Sequence, residues 1–195
     1  MSEIPGYDYG DERVPAAPID MAAFDRLKRT VGWTDADDEH LQLAGDVLAP
    51  QVDAILDRWL GFLDDLEFME EYRTDVDTGE VIETYAERSR RRYGQWIIDT
   101  CDTPYDEDWL AYQFEIGRRH HRTGKNETDD VNAAPHIHLR YITPLIYLHT
   151  TTVREFLAAG DHPRETVDRM HDAWFKSVVL QVTLWSYPYT VDGDW

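Results

Sequence analysis

Residues 109–122 carry the segment that decides the fold, WLAYQFEIGRRHHR, in which apolar and polar side chains alternate at helical spacing. Each residue of an α-helix turns by about 100°, so residues three or four positions apart lie on one face. One aromatic and apolar stripe is formed by residues three, four and four positions apart, namely Trp109, Tyr112, Ile116 and His120. The segment therefore predicts an amphipathic helix over about 105–123.

The histidine that ends this stripe has two interpretations. It is either a core or capping histidine, favoured by the negative end of the helix dipole, or an axial ligand of a haem iron that faces a flat apolar pocket. His121 follows directly and lies about 100° away, so His120 and His121 cannot share one ligand role. The local pattern does not choose between the two interpretations.

Helical spacing continues outward from this segment in both directions. Asp20 is a candidate cap ahead of an apolar repeat, Thr34 opens the next helix, and Pro50 begins a third. Longer helices are predicted over 80–100, 137–159 and 163–185, with a turn at 75–79 and a polar loop at 124–134. No run of alternating apolar and polar residues indicates a strand.

About eight helices with short connections indicate an all-α, helix-on-helix fold. The chain of 195 residues is expected to form one domain over 1–195, in which residues 1–20 form an N-terminal extension. The 42% of hydrophobic and 12% of aromatic residues exclude a disordered chain.

The net charge of −20 is the outlier of the composition. A phosphate backbone would be repelled, so we expect no nucleic-acid partner. The chain has only three lysines, Lys28, Lys125 and Lys176, beside its large acidic excess. This acidic character favours a protein that works in high salt, where ions screen its self-repulsion, over a merely acidic surface.

The cysteine content and the hydropathy of the chain indicate in which cellular compartment the protein is expected. Cys101 is the single cysteine, so no intrachain disulfide can form and no cysteine cluster exists for a metal or iron–sulfur site. The N-terminal segment lacks the apolar core of a signal peptide, and no apolar run is long enough to span a membrane. We expect a cytoplasmic protein without a membrane partner.

Several ordered stretches carry a family resemblance. They are IPGYDYG at 4–10, QVDAILDRW at 51–59, WIIDT at 96–100, WLAYQ at 109–113, EIGRRHHR at 115–122, AWFK at 173–176 and LWSYPY at 184–189. These stretches resemble those of the protoglobins, single-domain archaeal relatives of the globin-coupled sensors. The resemblance covers essentially the whole chain.

The resemblance implies a globin fold with an extra N-terminal helix and no separate D helix. It implies haem b, held through the first histidine of the pair, His120, with Tyr112 and Ile116 beside it. It further implies an N-terminal extension that helps to bury the haem, and a homodimer formed through the last two long helices.

The opposite, ligand-binding side departs from the family pattern. The family commonly carries a Trp-Tyr pair on its B helix, whereas this chain has Trp59 and Leu60, so the tyrosine hydroxyl is missing. Tyr93 stands where the family usually has phenylalanine, and its spacing places it near one face with Ser89. Tyr93 either supplies a replacement hydroxyl or is a core aromatic whose hydroxyl bonds elsewhere.

Three further residues are expected near the haem. Leu145 and His149 lie in LIYLH at 145–149, on a helix that lines the family's pocket. His149 is either a satisfied core histidine or an acid–base group or sixth ligand. Arg92 is either a partner of a haem propionate or a solvated member of a run of arginines.

Three functions follow from these alternatives. The first is reversible binding of diatomic gases (oxygen, carbon monoxide and nitric oxide) for storage, scavenging or sensing. The second is a haem enzyme with peroxidase, nitric oxide or nitrite activity, in which His149 would assist as an acid–base group. The third is a helical interaction domain without haem.

Overall fold

The computed structural model describes residues 4–191, 193 and 195. The described residues form the α-helices α1 Met21–Thr30, α2 Asp35–Leu48, α3 Val52–Asp64, α4 Glu83–Asp102, α5 Glu107–His120, α6 Leu139–Ile142, α7 Leu145–Leu157 and α8 Arg164–Trp185. Short 3-10 helices span Ala49–Gln51, Glu67–Arg73 and Tyr187–Tyr189. Residues 1–3 of the expected extension, and residues 192 and 194, lie outside the described residues.

The expected all-α class is confirmed. Strand pairing within the described residues is limited to two isolated bridges, Thr74 with Val81 and Asp75 with Ala133. The search of the described residues also finds no helix with the length and apolarity needed to cross a membrane.

The predicted helix starts follow from their capping chemistry. The Asp20 side chain accepts a hydrogen bond of 2.8 Å from the Ala23 backbone N–H, which caps the first turn of α1. At the start of α2, the Asp37 carboxylate accepts from the Thr34 backbone N–H at 2.7 Å. Pro50 belongs to the 3-10 turn before α3, so the helix itself begins two residues later than the proline.

Three predicted boundaries were wrong. Residues 80–82 precede α4 because Val81 bridges to Thr74, and α4 then continues to residue 102. Helix α5 ends at residue 120, since His121 has extended backbone angles. The single helix predicted over 137–159 is broken into α6 and α7 at Pro144, which has no N–H to donate to the preceding turn.

The helices enclose two apolar clusters. The larger cluster joins α2, α3, α4, α7 and α8, and its fully buried aromatic members are Trp59 and Trp174. The smaller cluster joins α1, α5 and α8 around Phe24 and Trp109, and the N-terminal extension packs on it through Tyr9 and other side chains. Helix α5 contributes Trp109 to the smaller cluster and packs Ile116 against the larger one. These contacts on two faces of α5 fix the direction of its C-terminal residues.

Gly117 allows α5 to approach α8 closely. A Cβ atom at this position would lie 2.8 Å from both the Cα and the carbonyl oxygen of Trp185, which are backbone atoms that cannot move aside. Any larger residue would push the two helices apart. The glycine therefore brings the last turn of α5, with His120, against the end of α8.

Candidate functional site

A cavity of about 660 Å³ lies between α3, α4, α5, α7 and α8. Such a volume is typical of pockets for small molecules and cofactors. Helix α5 and the end of α8 supply one wall, whereas α3, α4 and α7 supply the opposite wall. Residues of the N-terminal extension and of the 124–134 loop close one edge.

His120 stands on the α5 wall of the cavity. Its Nδ1 atom lies 2.8 Å from the Ile116 carbonyl oxygen, and its ring stacks on Trp185 with 5.7 Å between centroids and 10° between planes. Burial lowers the pKa of His120, which favours the neutral ring. With its proton donated from Nδ1 to a carbonyl, a neutral imidazole presents the lone pair of Nε2, as metal-binding histidines do.

His121 points away from this wall and is not among the residues that line the cavity. Its Nδ1 atom lies 3.0 Å from the Thr123 hydroxyl, and its ring contacts His136 and Tyr189. The two adjacent histidines are therefore separated as the helical spacing predicts. Only the first of them faces the cavity.

The remaining residues of the stripe divide between cavity and core. Tyr112 and Ile116 line the cavity beside His120. Trp109 does not, because its ring is fully buried against Tyr105 at 3.8 Å between centroids. The stripe thus anchors its first residue, Trp109, in the core and presents the other three to the cavity.

Helices α3 and α4 also place charged side chains along the cavity, among them Asp57, Arg90 and Asp99, but one patch of the opposite wall is apolar with a single polar pair. Leu60 and Leu145 line it, together with Tyr93 and His149. The Tyr93 hydroxyl is hydrogen-bonded to Nε2 of His149. Burial lowers the pKa of His149 to about 3 and raises the pKa of Tyr93, so both side chains are neutral at pH 7.

Trp59 supports this wall from behind without lining the cavity. Its ring is fully buried, lies 4.7 Å from the His149 ring between centroids, and packs on Tyr93. Its indole N–H donates to the Thr152 hydroxyl at 2.6 Å. Trp59 is therefore not among the residues that line the cavity, and its contact with a cofactor stays a prediction.

Ser89 and Arg92 line the polar edge of the cavity. The guanidinium of Arg92 donates to both carboxylate oxygens of Asp129, at 3.1 and 2.6 Å, and to the Pro5 carbonyl oxygen at 2.8 Å. Within the chain, Arg92 is thus paired with the carboxylate of Asp129 rather than solvated. A role of Arg92 toward a propionate stays a prediction.

Sequence reasoning missed several residues of the cavity, of which Lys125 is the least expected. Its side chain is only 5% exposed, and its ammonium group donates to the Tyr72 carbonyl oxygen at 3.0 Å and to the Tyr85 hydroxyl at 2.7 Å. Burial lowers the pKa of Lys125 to about 8. A lysine in a polar loop is normally exposed, so the loop gave no reason to expect burial. The one available signal was that the chain has so few lysines.

The N-terminal extension is fixed at the edge of the cavity. The Tyr7 hydroxyl donates to Asp99 at 2.9 Å, and Arg119 forms an ion pair of 2.7 Å with Asp8 and donates to the Gly6 carbonyl oxygen. Both Tyr7 and Arg119 line the cavity. The extension therefore covers an opening between α4 and α5.

A comparison with protein families settles the relationship of the chain. The family model described as Protoglobin matches residues 20–195, which is nearly the whole chain. The chain belongs to the protoglobin family. Protoglobins are haem globins that bind gases, and the all-helical architecture is the globin-like one that membership implies. A search of curated proteins finds no match.

The residues of this protoglobin fit a haem. No group of three or more histidine, cysteine, aspartate or glutamate side chains among the described residues is arranged to hold a bare metal ion. The cavity is instead lined by two neutral imidazoles, of which His149 is bonded through Nε2 to Tyr93, whereas His120 is bonded to the Ile116 carbonyl oxygen through Nδ1. That donor set suits an iron that brings the porphyrin nitrogens with it.

Proposed function

We propose that this protoglobin binds one haem b in the cavity between α4 and α5, with His120 as the protein ligand of the iron. The haem would supply the iron that binds oxygen, carbon monoxide or nitric oxide reversibly. The observation that carries the proposal is the His120 imidazole, which is neutral, faces the cavity and has its Nδ1 atom held at 2.8 Å from the Ile116 carbonyl oxygen.

The other lining residues have roles that follow from their chemistry. Tyr112 and Ile116 on one wall, and Leu60 and Leu145 on the other, would exclude water from the haem faces. The polar edge, which includes Ser89, Arg92 and Lys125, suits the anionic propionates. Part of the Arg92 charge is already neutralised by Asp129. Our proposal therefore includes the Lys125 ammonium group as a second partner of the propionates.

We also propose that the chain forms a homodimer through α7 and α8 and acts in the cytoplasm. Two large apolar side chains on these helices support the dimer, because Tyr147 is 76% exposed and Phe175 is 44% exposed. Exposed aromatic side chains of this size are enriched at interfaces between proteins. The oligomeric state in solution tests this part of the proposal.

A haem enzyme is the second candidate function, because His149 lines the cavity opposite His120. A neutral imidazole there would accept a proton from peroxide. Its Nε2 atom is, however, already bonded to Tyr93, so reversible gas binding is the function that the geometry supports best. Steady-state turnover of peroxide, nitric oxide or nitrite separates the two candidates.

The test is a haem titration of the purified chain, followed by absorption spectra of the ferric, ferrous and carbon monoxide forms. We expect one haem per chain and a spectrum typical of histidine ligation in the ferrous form. A chain that takes up no haem would contradict the proposal and would favour a helical interaction domain. The same samples, once reduced, allow gas release to be measured.

A further inference from the structure

The polar pair within the apolar patch around Leu60 and Leu145 calls for a physical explanation. Tyr93 and His149 are bonded to each other and surrounded by indole rings, with 4.7 Å from His149 to Trp59 and 5.4 Å to Trp96 between centroids. Polar groups are costly to bury in such surroundings unless each finds a partner. The Nδ1 atom of His149 is buried and has no hydrogen-bond partner among the described residues.

The protons of the pair can be assigned from this unpartnered atom. Two neutral side chains hold one phenolic hydrogen and one imidazole hydrogen between them. If the imidazole hydrogen were on Nδ1, a buried N–H donor would be left without an acceptor, which is the rarer and costlier defect in proteins. If it is on Nε2, the imidazole donates to the Tyr93 oxygen, and only a lone pair is left beside the indole rings.

The second arrangement leaves the phenolic hydrogen of Tyr93 unused within the pair. Tyr93 lines the cavity, so its hydroxyl is available to a molecule inside it. Leu60 and Leu145 beside it have no hydrogen to donate, and the α4 donors Ser89 and Arg92 lie at the polar edge of the cavity. The wall therefore offers a hydroxyl donor whose oxygen is fixed by an imidazole behind it.

We infer that Tyr93 and His149 together form a hydrogen-bond donor site for a small polar ligand, in which Tyr93 donates to the ligand and His149 is the positioning residue. The inference rests on the proposed function, since the ligand is the gas that the haem binds. It identifies the preferred class as a diatomic that carries partial negative charge when bound, such as oxygen. Carbon monoxide is less polar and gains less from the donor.

The first test compares the release rates of oxygen and carbon monoxide in Tyr93→Phe and His149→Leu. We expect the ratio of the oxygen rate to the carbon monoxide rate to rise about tenfold in Tyr93→Phe, which removes the charge-assisted hydrogen bond to the ligand. The ratio should rise in the same direction in His149→Leu, which removes the imidazole that positions the Tyr93 oxygen. Thr150→Val is the matched control, since it removes a neighbouring buried hydroxyl that does not line the cavity, and its ratio should stay unchanged.

Two results overturn the inference in distinguishable ways. If the wild type binds haem and carbon monoxide but Tyr93→Phe leaves the ratio unchanged, the donor site is wrong and the proposed function stands. If the wild type takes up no haem, both fail.

A second measurement needs no gas kinetics and does not depend on the folding of His149→Leu. Nitrogen NMR of the histidine-labelled carbon monoxide form reports which ring nitrogen of His149 carries hydrogen. We expect the hydrogen on Nε2, with a signal that moves in Tyr93→Phe and stays in Thr150→Val. A hydrogen on Nδ1 in the wild type would overturn the inference.

Discussion

The contact between Tyr7 and Asp99 gives a quantitative prediction about the N-terminal extension. The Tyr7 hydroxyl donates to Asp99 at 2.9 Å, and Asp99 is only 7% exposed. Burial raises the pKa of this carboxyl group, while its hydrogen bonds with Gln95 and Tyr7 oppose the rise. The hydroxyl therefore stabilises a buried charge, and its removal in Tyr7→Phe leaves that charge with one fewer donor.

The size of the effect follows from the chemistry of the bond. A hydrogen bond to a charged group contributes about 1.5–3 kcal/mol, and about 1.4 kcal/mol corresponds to a factor of ten in an equilibrium constant. Detachment of the extension should therefore become tenfold to about a hundredfold more frequent in Tyr7→Phe. The extension would still be held by Arg119, through its ion pair with Asp8, and by the bond from Arg92 to the Pro5 carbonyl oxygen.

Hydrogen exchange of the extension is the assay, because amide exchange of a segment that opens locally reports its opening equilibrium. The backbone N–H groups of residue 7 and of Asp11 are bonded within the extension and serve as reporters. Tyr9→Phe is the matched control, since the Tyr9 hydroxyl lies 3.4 Å from Asp106 at an exposed position. Equal exchange in the two variants would refute the reasoning.

Three further predictions concern the cavity and the charge. Leu60→Tyr should slow oxygen release less than about twofold, because Tyr93 already donates there; a tenfold slowing would contradict this. Burial lowers the pKa of His149 from 6.5 to about 3, so the folded chain binds fewer protons than the unfolded chain between these values, and stability is lost as the pH falls through that window. Between pH 7 and pH 5, His149 should lower the free energy of unfolding by about 2 kcal/mol, and this part of the decrease should disappear in His149→Leu. Urea unfolding of both proteins at equal haem saturation measures it, and an equal decrease in the two would contradict the prediction. The melting temperature should rise from low to molar salt, because the net charge of −20 repels itself and screening shortens from about 10 Å at 0.1 M to about 3 Å at 1 M; a flat or falling value would contradict this.

Local rules explain the parts of the fold that the sequence predicts well. The caps at Asp20 and Thr34 act within one helical turn, so their effect is visible without the tertiary structure. The placement of His120 on the cavity and of His121 away from it also follows from helical geometry alone. The break at Pro144 was available from the sequence too, but the long apolar repeat around it concealed the interruption.

Contacts between distant segments explain what the sequence could not predict. Trp59 is adjacent to Leu60 in the chain, yet packing by α4 and α7 removes Trp59 from the cavity and leaves Leu60 on its wall. The pairing of Arg92 with Asp129 joins positions 37 residues apart. Lys125 is buried because the turn and loop segments around Tyr72 fold over it. None of these contacts leaves a periodic signal.

The role of His120 is tested most directly by two single substitutions, His120→Gly and His121→Gly, examined by absorption spectroscopy of the ferrous and carbon monoxide forms with and without added imidazole. The two positions are adjacent, His120 as the last residue of α5 and His121 as its C-cap, so His121→Gly controls for the loss of an imidazole at this end of the helix. We expect His120→Gly to lose the spectrum of histidine ligation and to regain it with imidazole, while His121→Gly keeps the wild-type spectrum throughout. A wild-type spectrum in His120→Gly without imidazole, or its loss in His121→Gly, would contradict the account.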